Sequence, residues 1–105
     1  MSAMSKSRVR LVPSEGWFAA TFRGIPSAFS QGRTRQSATR NVEDAVRCLA
    51  LAFVECVERG QRQLDVDVKQ ARAVLRHGKL SRQLRRRLER AIATQRAERG
   101  RPRRR

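Results

Sequence analysis

The sequence predicts an α+β protein: a small three- or four-stranded antiparallel sheet covered by one long helix, followed by a basic helical extension. Short alternating runs separated by glycine-centred turns fill residues 8–32. One apolar stripe at helical spacing then runs from Ala38 to Val57. Beyond Gly60, leucines four apart share a segment with a dense set of arginines.

The elements follow in order. Val9, Leu11 and Pro13 alternate with Arg8, Arg10 and Val12, which predicts a first strand. Ser14-Glu15-Gly16 is turn chemistry and reads as a hairpin connection. Residues 17–23 form the second strand, with Phe18, Ala20 and Phe22 on one side and Trp17, Ala19 and Thr21 on the other. Gly24-Ile25-Pro26 is expected to interrupt pairing, because proline has no N–H to give to a ladder. Residues 28–31 resume as a third short strand, ended by Gly32.

The long helix carries Ala38, Val42, Ala45, Val46, Leu49, Ala52, Phe53, Cys56 and Val57 on one stripe. Thr34 or Ser37 caps its start, Glu43 and Asp44 suit the dipole in its first half, and Gly60 supplies a stop. A helix so apolar on one side must cover a face of the sheet. Residues 64–68 alternate as Leu-Asp-Val-Asp-Val and support two readings: a fourth strand, or an aspartate capping a helix. Ala71, Val74 and Leu75 mark a short helix closed by His77-Gly78. Leu80, Leu84, Leu88, Ala91 and Ile92 mark another, with Ser81 as its cap. The expected organisation is a sheet-and-helix module over 8–60, a basic helical region over 64–97 and a disordered arginine-rich tail over 98–105.

Charge divides the chain more sharply than length does. Over all 105 residues, 25 Lys and Arg face 9 Asp and Glu, a formal net charge of +16. Residues 1–64 hold ten basic and five acidic side chains, a net of +5; residues 65–105 hold fifteen and four, a net of +11, and no Phe, Trp or Tyr. Such a balance favours a polyanionic partner, nucleic acid first. Cys48 and Cys56 fall in one predicted helix about 12 Å apart at 1.5 Å per residue, beyond disulfide reach. They read as small apolar helix residues in a reducing compartment. No apolar run is long enough to span a membrane and the start resembles no signal peptide, so a cytoplasmic location is expected.

One stretch is more specific than these averages. Phe22-Arg23-Gly24-Ile25-Pro26, then Phe29-Ser30-Gln31-Gly32-Arg33-Thr34, then Ala38, Asn41 and Ala45 follow one another at fixed spacing. This order resembles the HicB family of bacterial antitoxins over about residues 8–60. The resemblance implies a three-stranded sheet with one long helix, a partial RNase H-like module without catalytic activity. It also implies a HicA-type partner, a small basic ribonuclease toxin, and a DNA-binding C-terminal region that permits autorepression, in a protein acting as a homodimer. Residues 64–97 are similar to the ribbon-helix-helix type of that region, although Asp65 and Asp67 would then face phosphates. In this chain the turn before the helix is basic, with Arg33, Arg35 and Arg40.

The candidate nucleic-acid contacts are Arg82, Arg85, Arg86, Arg87 and Arg90 on the polar side of the last helix, with Arg101, Arg103, Arg104 and Arg105 in the tail. Like charges at three- and four-residue spacing weaken an isolated helix by a few tenths of a kcal/mol per pair, and polyanion binding is a reason to tolerate that. Trp17, Arg33 and Arg35 are the candidate protein-partner contacts. Trp17, Phe18, Phe22 and Phe29 lie on the expected sheet, where RNA-binding sheets place stacking rings; Phe18 and Phe22 are expected in the core, and the alternative to stacking is packing at a protein interface or dimer seam. An enzyme is not expected. His77 is the only histidine and sits at a helix end, two separated cysteines cannot complete a zinc site, and Glu15, Glu43 and Asp44 form no obvious carboxylate set for metal catalysis. No cofactor or phosphate-cradling glycine loop is indicated. The expected function is an antitoxin-like binding protein; the alternative is a stand-alone RNA-binding component or an inhibitor of a nucleic-acid enzyme.

Overall fold

A computed structural model describes residues 8–61 and 66–100, with side chains to residue 97. The chain is α+β: strands β1 (Val9–Ser14), β2 (Trp17–Phe22) and β3 (Ile25–Gly32) precede helices α1 (Arg35–Glu58), α2 (Val68–His77) and α3 (Arg82–Gly100). It divides into two compact units, one ending at Val46 and the other beginning at Arg47, so the boundary falls inside α1 rather than after it.

The first unit is an antiparallel meander in the order β1-β2-β3, with the opening part of α1 against it. Ser14 pairs with Trp17 across a two-residue loop, and Glu15 and Gly16 have φ of 41° and 85°. Positive φ at both central residues is the geometry whose twist matches that of the flanking strands. Glycine takes it without strain; Glu15 does not.

Register sorts the strand side chains into two faces, because directly paired residues point the same way. Val9, Leu11, Phe18, Ala20, Phe22 and Ile25 share the inner face, where Ala20 and Ile25 are fully enclosed and Phe22 nearly so. Burying side chains the size of Phe22 and Ile25 stabilises the fold by about 1.5–3 kcal/mol each. The outer face carries three cross-strand rows: Arg10, Thr21 and Phe29; Val12, Ala19 and Gln31; Ser14 and Trp17.

The third strand corrects the sequence reading. Pairing is not interrupted at Gly24-Ile25-Pro26: Phe22 pairs with Ile25, Arg23 and Gly24 form the turn, and β3 begins four residues before Phe29. The register shifts between Thr21, which faces Phe29, and Phe22, which faces Ile25. Pro26 lies in that bulged stretch of an edge strand, where no ladder hydrogen bond needs its missing N–H.

Gly32 closes β3 where α1 starts. A Cβ added there would stand 2.6 Å from the Ala38 amide nitrogen and 2.9 Å from its Cα, so only glycine lets helix and strand approach this closely. Thr34 and Ser37 both cap α1, reciprocally. The Ser37 N–H donates to Thr34 Oγ1 at 2.9 Å, and the Thr34 N–H donates to Ser37 Oγ at 3.1 Å. This is the logic of a capping box, two orphan donors satisfied together. Asn41 ties the helix to the sheet edge by donating Nδ2–H to the Gln31 carbonyl at 2.9 Å. Ala38, Val42 and Val46 are the buried side chains of this half of α1.

In the second unit α1 continues with Ala50, Phe53 and Val54 buried, and ends at Gly60. There the Gln61 N–H donates to the Cys56 carbonyl and the Gly60 N–H to that of Val57, the paired bonds of a Schellman stop. Asp67 caps α2, its carboxylate accepting from the Gln70 N–H at 2.8 Å. The helix-cap reading of residues 64–68 therefore holds at Asp67, and the strand reading does not extend to Val66–Val68; Leu64 and Asp65 lie outside the described residues. The sheet has three strands among the described residues. Ser81 caps α3 as expected, accepting from the Leu84 N–H at 3.1 Å. α3 packs on α2 and runs to Gly100, three residues past the expected boundary at 97. The remaining tail, with Arg101, Arg103, Arg104 and Arg105, is outside the described residues. Within the described residues no helix is long and apolar enough to cross a membrane.

Candidate nucleic-acid interface

The basic surface of the second unit is built by the amphipathicity of α3. Leu84, Leu88, Ala91 and Ile92 are buried, so their three- and four-residue spacing fixes which side of the helix is covered. Arg82, Arg86 and Arg90 are then exposed at four-residue intervals, a row about 12 Å long at 1.5 Å rise per residue. Together with Ser81, Gln83 and Arg87 they line an open groove along the helix surface.

The other two candidates have structural partners. Arg85 is half-buried and donates Nη1–H to the Leu75 carbonyl at 2.8 Å. Leu75 is in the last turn of α2, where carbonyls have no partner within the helix. The preceding orphan, the Val74 carbonyl, accepts from the Gly78 N–H at 2.7 Å. Arg85 thus braces a helix terminus, and its charge also suits that end of the dipole. Arg87 makes a forked pair with Glu58, Nη2 to Oε1 at 3.0 Å and Nε to Oε2 at 3.4 Å. The hydrogen bond from Arg87 holds the Glu58 carboxyl below its ordinary pKa against an opposing desolvation, with the charges of Arg87 and Arg90 adding to the lowering. The same pairing raises the Arg87 guanidinium. Of the five arginines, Arg82, Arg86 and Arg90 are the exposed ones, and a charge count alone could not separate them.

The candidate protein-contact residues do not share one face. The Arg33 guanidinium lies 5.0 Å from the centroid of the Trp17 ring, on the outer side of the sheet. Arg35 lies 5.1 Å from the centroid of the Phe18 ring, and Phe18 belongs to the inner side. Both are within the range of a cation–π contact. Trp17 is 42% exposed. Trp17 lies on the outer face as its alternation predicts; Phe29, named among the sheet aromatics but assigned no face from the sequence, is at 60% the most exposed large apolar side chain among the described residues. Its signal was present in the alternation: Phe29 stands one position from Ala28, which is fully buried.

Among the described residues no three His, Cys, Asp or Glu side chains come close enough to hold a metal ion. His77 is half-buried in the last turn of α2. Cys48 is exposed and Cys56 half-buried, both as free thiols. No protein-family model, curated protein or solved structure matches the chain.

Proposed function

We propose that this chain is a non-catalytic, antitoxin-like nucleic-acid-binding protein whose phosphate contacts come from α3. The observation that carries the reading is the row of Arg82, Arg86 and Arg90, exposed at helical spacing on a helix whose opposite side is buried. A rigid row of cations matches a regular array of phosphates, and each neutralised phosphate releases counterions. The tail arginines 101, 103, 104 and 105 extend the same contact, and a homodimer would double it. The test is affinity for duplex DNA and RNA, measured across salt concentration for the full chain and for a chain truncated after Thr94. Truncation lowers affinity while the helical content of the rest is kept; unchanged affinity at physiological salt rules out the tail.

The antitoxin-like part adds a small ribonuclease toxin of HicA type as protein partner and autorepression through DNA. The meander followed by one long helix, as the resemblance implies, supports it. The stand-alone RNA-binding alternative draws its support from exposed arginines at 33, 35 and 40, which would meet a basic toxin with like charge. Purification of the full chain from its own cells, with and without nuclease, separates the two: a stoichiometric small protein that survives nuclease favours the antitoxin, and nuclease-sensitive RNA alone favours the alternative.

A further inference from the structure

We propose that the outer face of the sheet is a binding platform for single-stranded RNA, with Trp17 and Phe29 as base-stacking rings and Arg10 and Arg33 as their phosphate partners. This site lies within the first unit and is independent of the reading of α3.

Two large rings stand exposed on a sheet surface that no element of the first unit covers: Trp17 at 42% and Phe29 at 60%. Two exposed rings on one uncovered face make it a candidate contact surface. Charge identifies its sign. Arg10 occupies the same cross-strand row as Phe29, and Arg33 lies directly over Trp17. The paired outer positions of the three strands hold no carboxylate. A second copy of this chain, docked by this face onto itself, would bring two basic faces together with no carboxylate at the paired outer positions to offset them. An anionic ligand with flat faces meets both features at once.

Register makes the geometry specific. Phe29 is opposite Thr21, and Trp17 is four residues further along β2. With strands about 4.8 Å apart and residues about 3.3 Å apart along a strand, the two rings are roughly 14 Å from each other. They cannot sandwich one base; each takes a base of its own on an extended strand. Between them stands the small Ala19 on β2, opposite Gln31 on β3. A duplex is a poor occupant, since its bases are already stacked and offer no face to a protruding ring. Thr21 places a hydroxyl between Arg10 and Phe29, a neutral donor and acceptor suited to a ribose 2′-OH, which points to RNA over DNA.

Trp17 is the chain's only tryptophan, so its fluorescence reports this site and not α3. The experiment titrates the full chain with a single-stranded 12-nucleotide oligo(U), the oligo(dT) of equal length and a 12-base-pair RNA duplex. Tryptophan emission and labelled-oligonucleotide anisotropy are read together. Oligo(U) is expected to quench Trp17, and Phe29→Ala to weaken oligo(U) binding about tenfold, as loss of one stacked base does. Phe29→Tyr keeps the ring and restores the affinity. The combined Arg82→Ala, Arg86→Ala and Arg90→Ala variant retains the quench, which separates this site from the α3 surface. Phe29 is exposed, so its variants are expected to melt as the parent does, checked by circular dichroism. Unmoved Trp17 emission, or oligo(U) affinity indifferent to Phe29→Ala, overturns the proposal. Equal quenching by the duplex overturns the single-strand assignment, and equal quenching by oligo(dT) overturns the choice of RNA. Sedimentation showing a dimer that Phe29→Ala dissociates, with no response to oligo(U), gives the face to a second copy instead.

Discussion

The two units use arginine differently. In the sheet unit, Arg33 and Arg35 lie over aromatic rings, where a cation contributes packing area and a quadrupole contact while its charge remains at the surface. In the helical unit the phenyl ring of Phe53 is buried in the core. Arg85 and Arg87 instead close hydrogen bonds to a helix terminus and to a carboxylate, and Arg82, Arg86 and Arg90 stand exposed. The same residue type therefore lies over rings in one unit and is divided between hydrogen-bonded and exposed positions in the other. Net charge measures none of this; the partner each guanidinium has within its own unit does.

That contrast can be broken at defined positions. The largest effect is expected in the sheet unit, where backbone approach rather than charge sets the geometry. Gly32→Ala forces Cβ to within 2.9 Å of Ala38 backbone atoms. Neither atom is the end of a flexible side chain, so destabilisation of about 1–3 kcal/mol is expected from the overpacking. Thermal or urea unfolding followed by circular dichroism checks it; an unchanged midpoint would mean the strand and helix are not held as closely as described.

Arg85 and Arg82 differ by three positions and should differ in kind. Arg85→Ala leaves the Leu75 carbonyl without its donor and is expected to cost about 1 kcal/mol of stability. Arg82→Ala, on the exposed row, is expected to stay within about 0.5 kcal/mol of the parent. Equal effects on stability would erase the distinction between bracing and contacting arginines.

The smallest effect concerns Glu58. Its carboxyl is held below the ordinary value, chiefly by the Arg87 hydrogen bond, so the folded state favours the ionised form. The pair's contribution is then present above the unfolded-state pKa and is lost as pH falls through the lower folded-state value. Both groups are substantially exposed, so the gain is slight. Glu58→Gln is expected to leave unfolding almost unchanged at neutral pH and to remove this pair's small contribution to the pH dependence in the acid range. It also frees Arg87, which lines the same groove as Arg82, Arg86 and Arg90, so polyanion affinity should rise. A drop in affinity would mean that Glu58 orients Arg87 for binding.

Much of the fold was legible because its local signals agree with its tertiary structure. Ser14-Glu15-Gly16, the alternation of residues 17–22, Gly60 and the Ser81 cap each announce what they do. Pro26 misled, because the rule against proline in strands yields at the bulge of an edge strand, and edge position is a tertiary fact. Ala50 and Val54 were absent from the expected stripe although both are fully buried. Residues 49–54 are apolar without interruption, so periodicity cannot choose a face there. Asp67 was ambiguous because alternation and capping make the same demand of a Leu-Asp-Val-Asp-Val run; the Gln70 N–H decides for capping. At the candidate interface the sequence identified the helix and its basic side. It could not tell Arg85 from Arg86, since that depends on where the end of α2 lies relative to α3.

The central claim is that the exposed row, and not the total charge, contacts phosphates. The direct measurement is the slope of log affinity against log salt for a duplex oligonucleotide, compared between the parent, the Arg82→Ala, Arg86→Ala and Arg90→Ala triple variant, and Arg85→Ala. At about 0.9 per phosphate contact on duplex DNA, the triple variant is expected to flatten the slope by roughly 2.7, with Arg85→Ala leaving it unchanged. A triple variant with the parental slope, or an Arg85→Ala variant that flattens it by a full contact, would contradict the account.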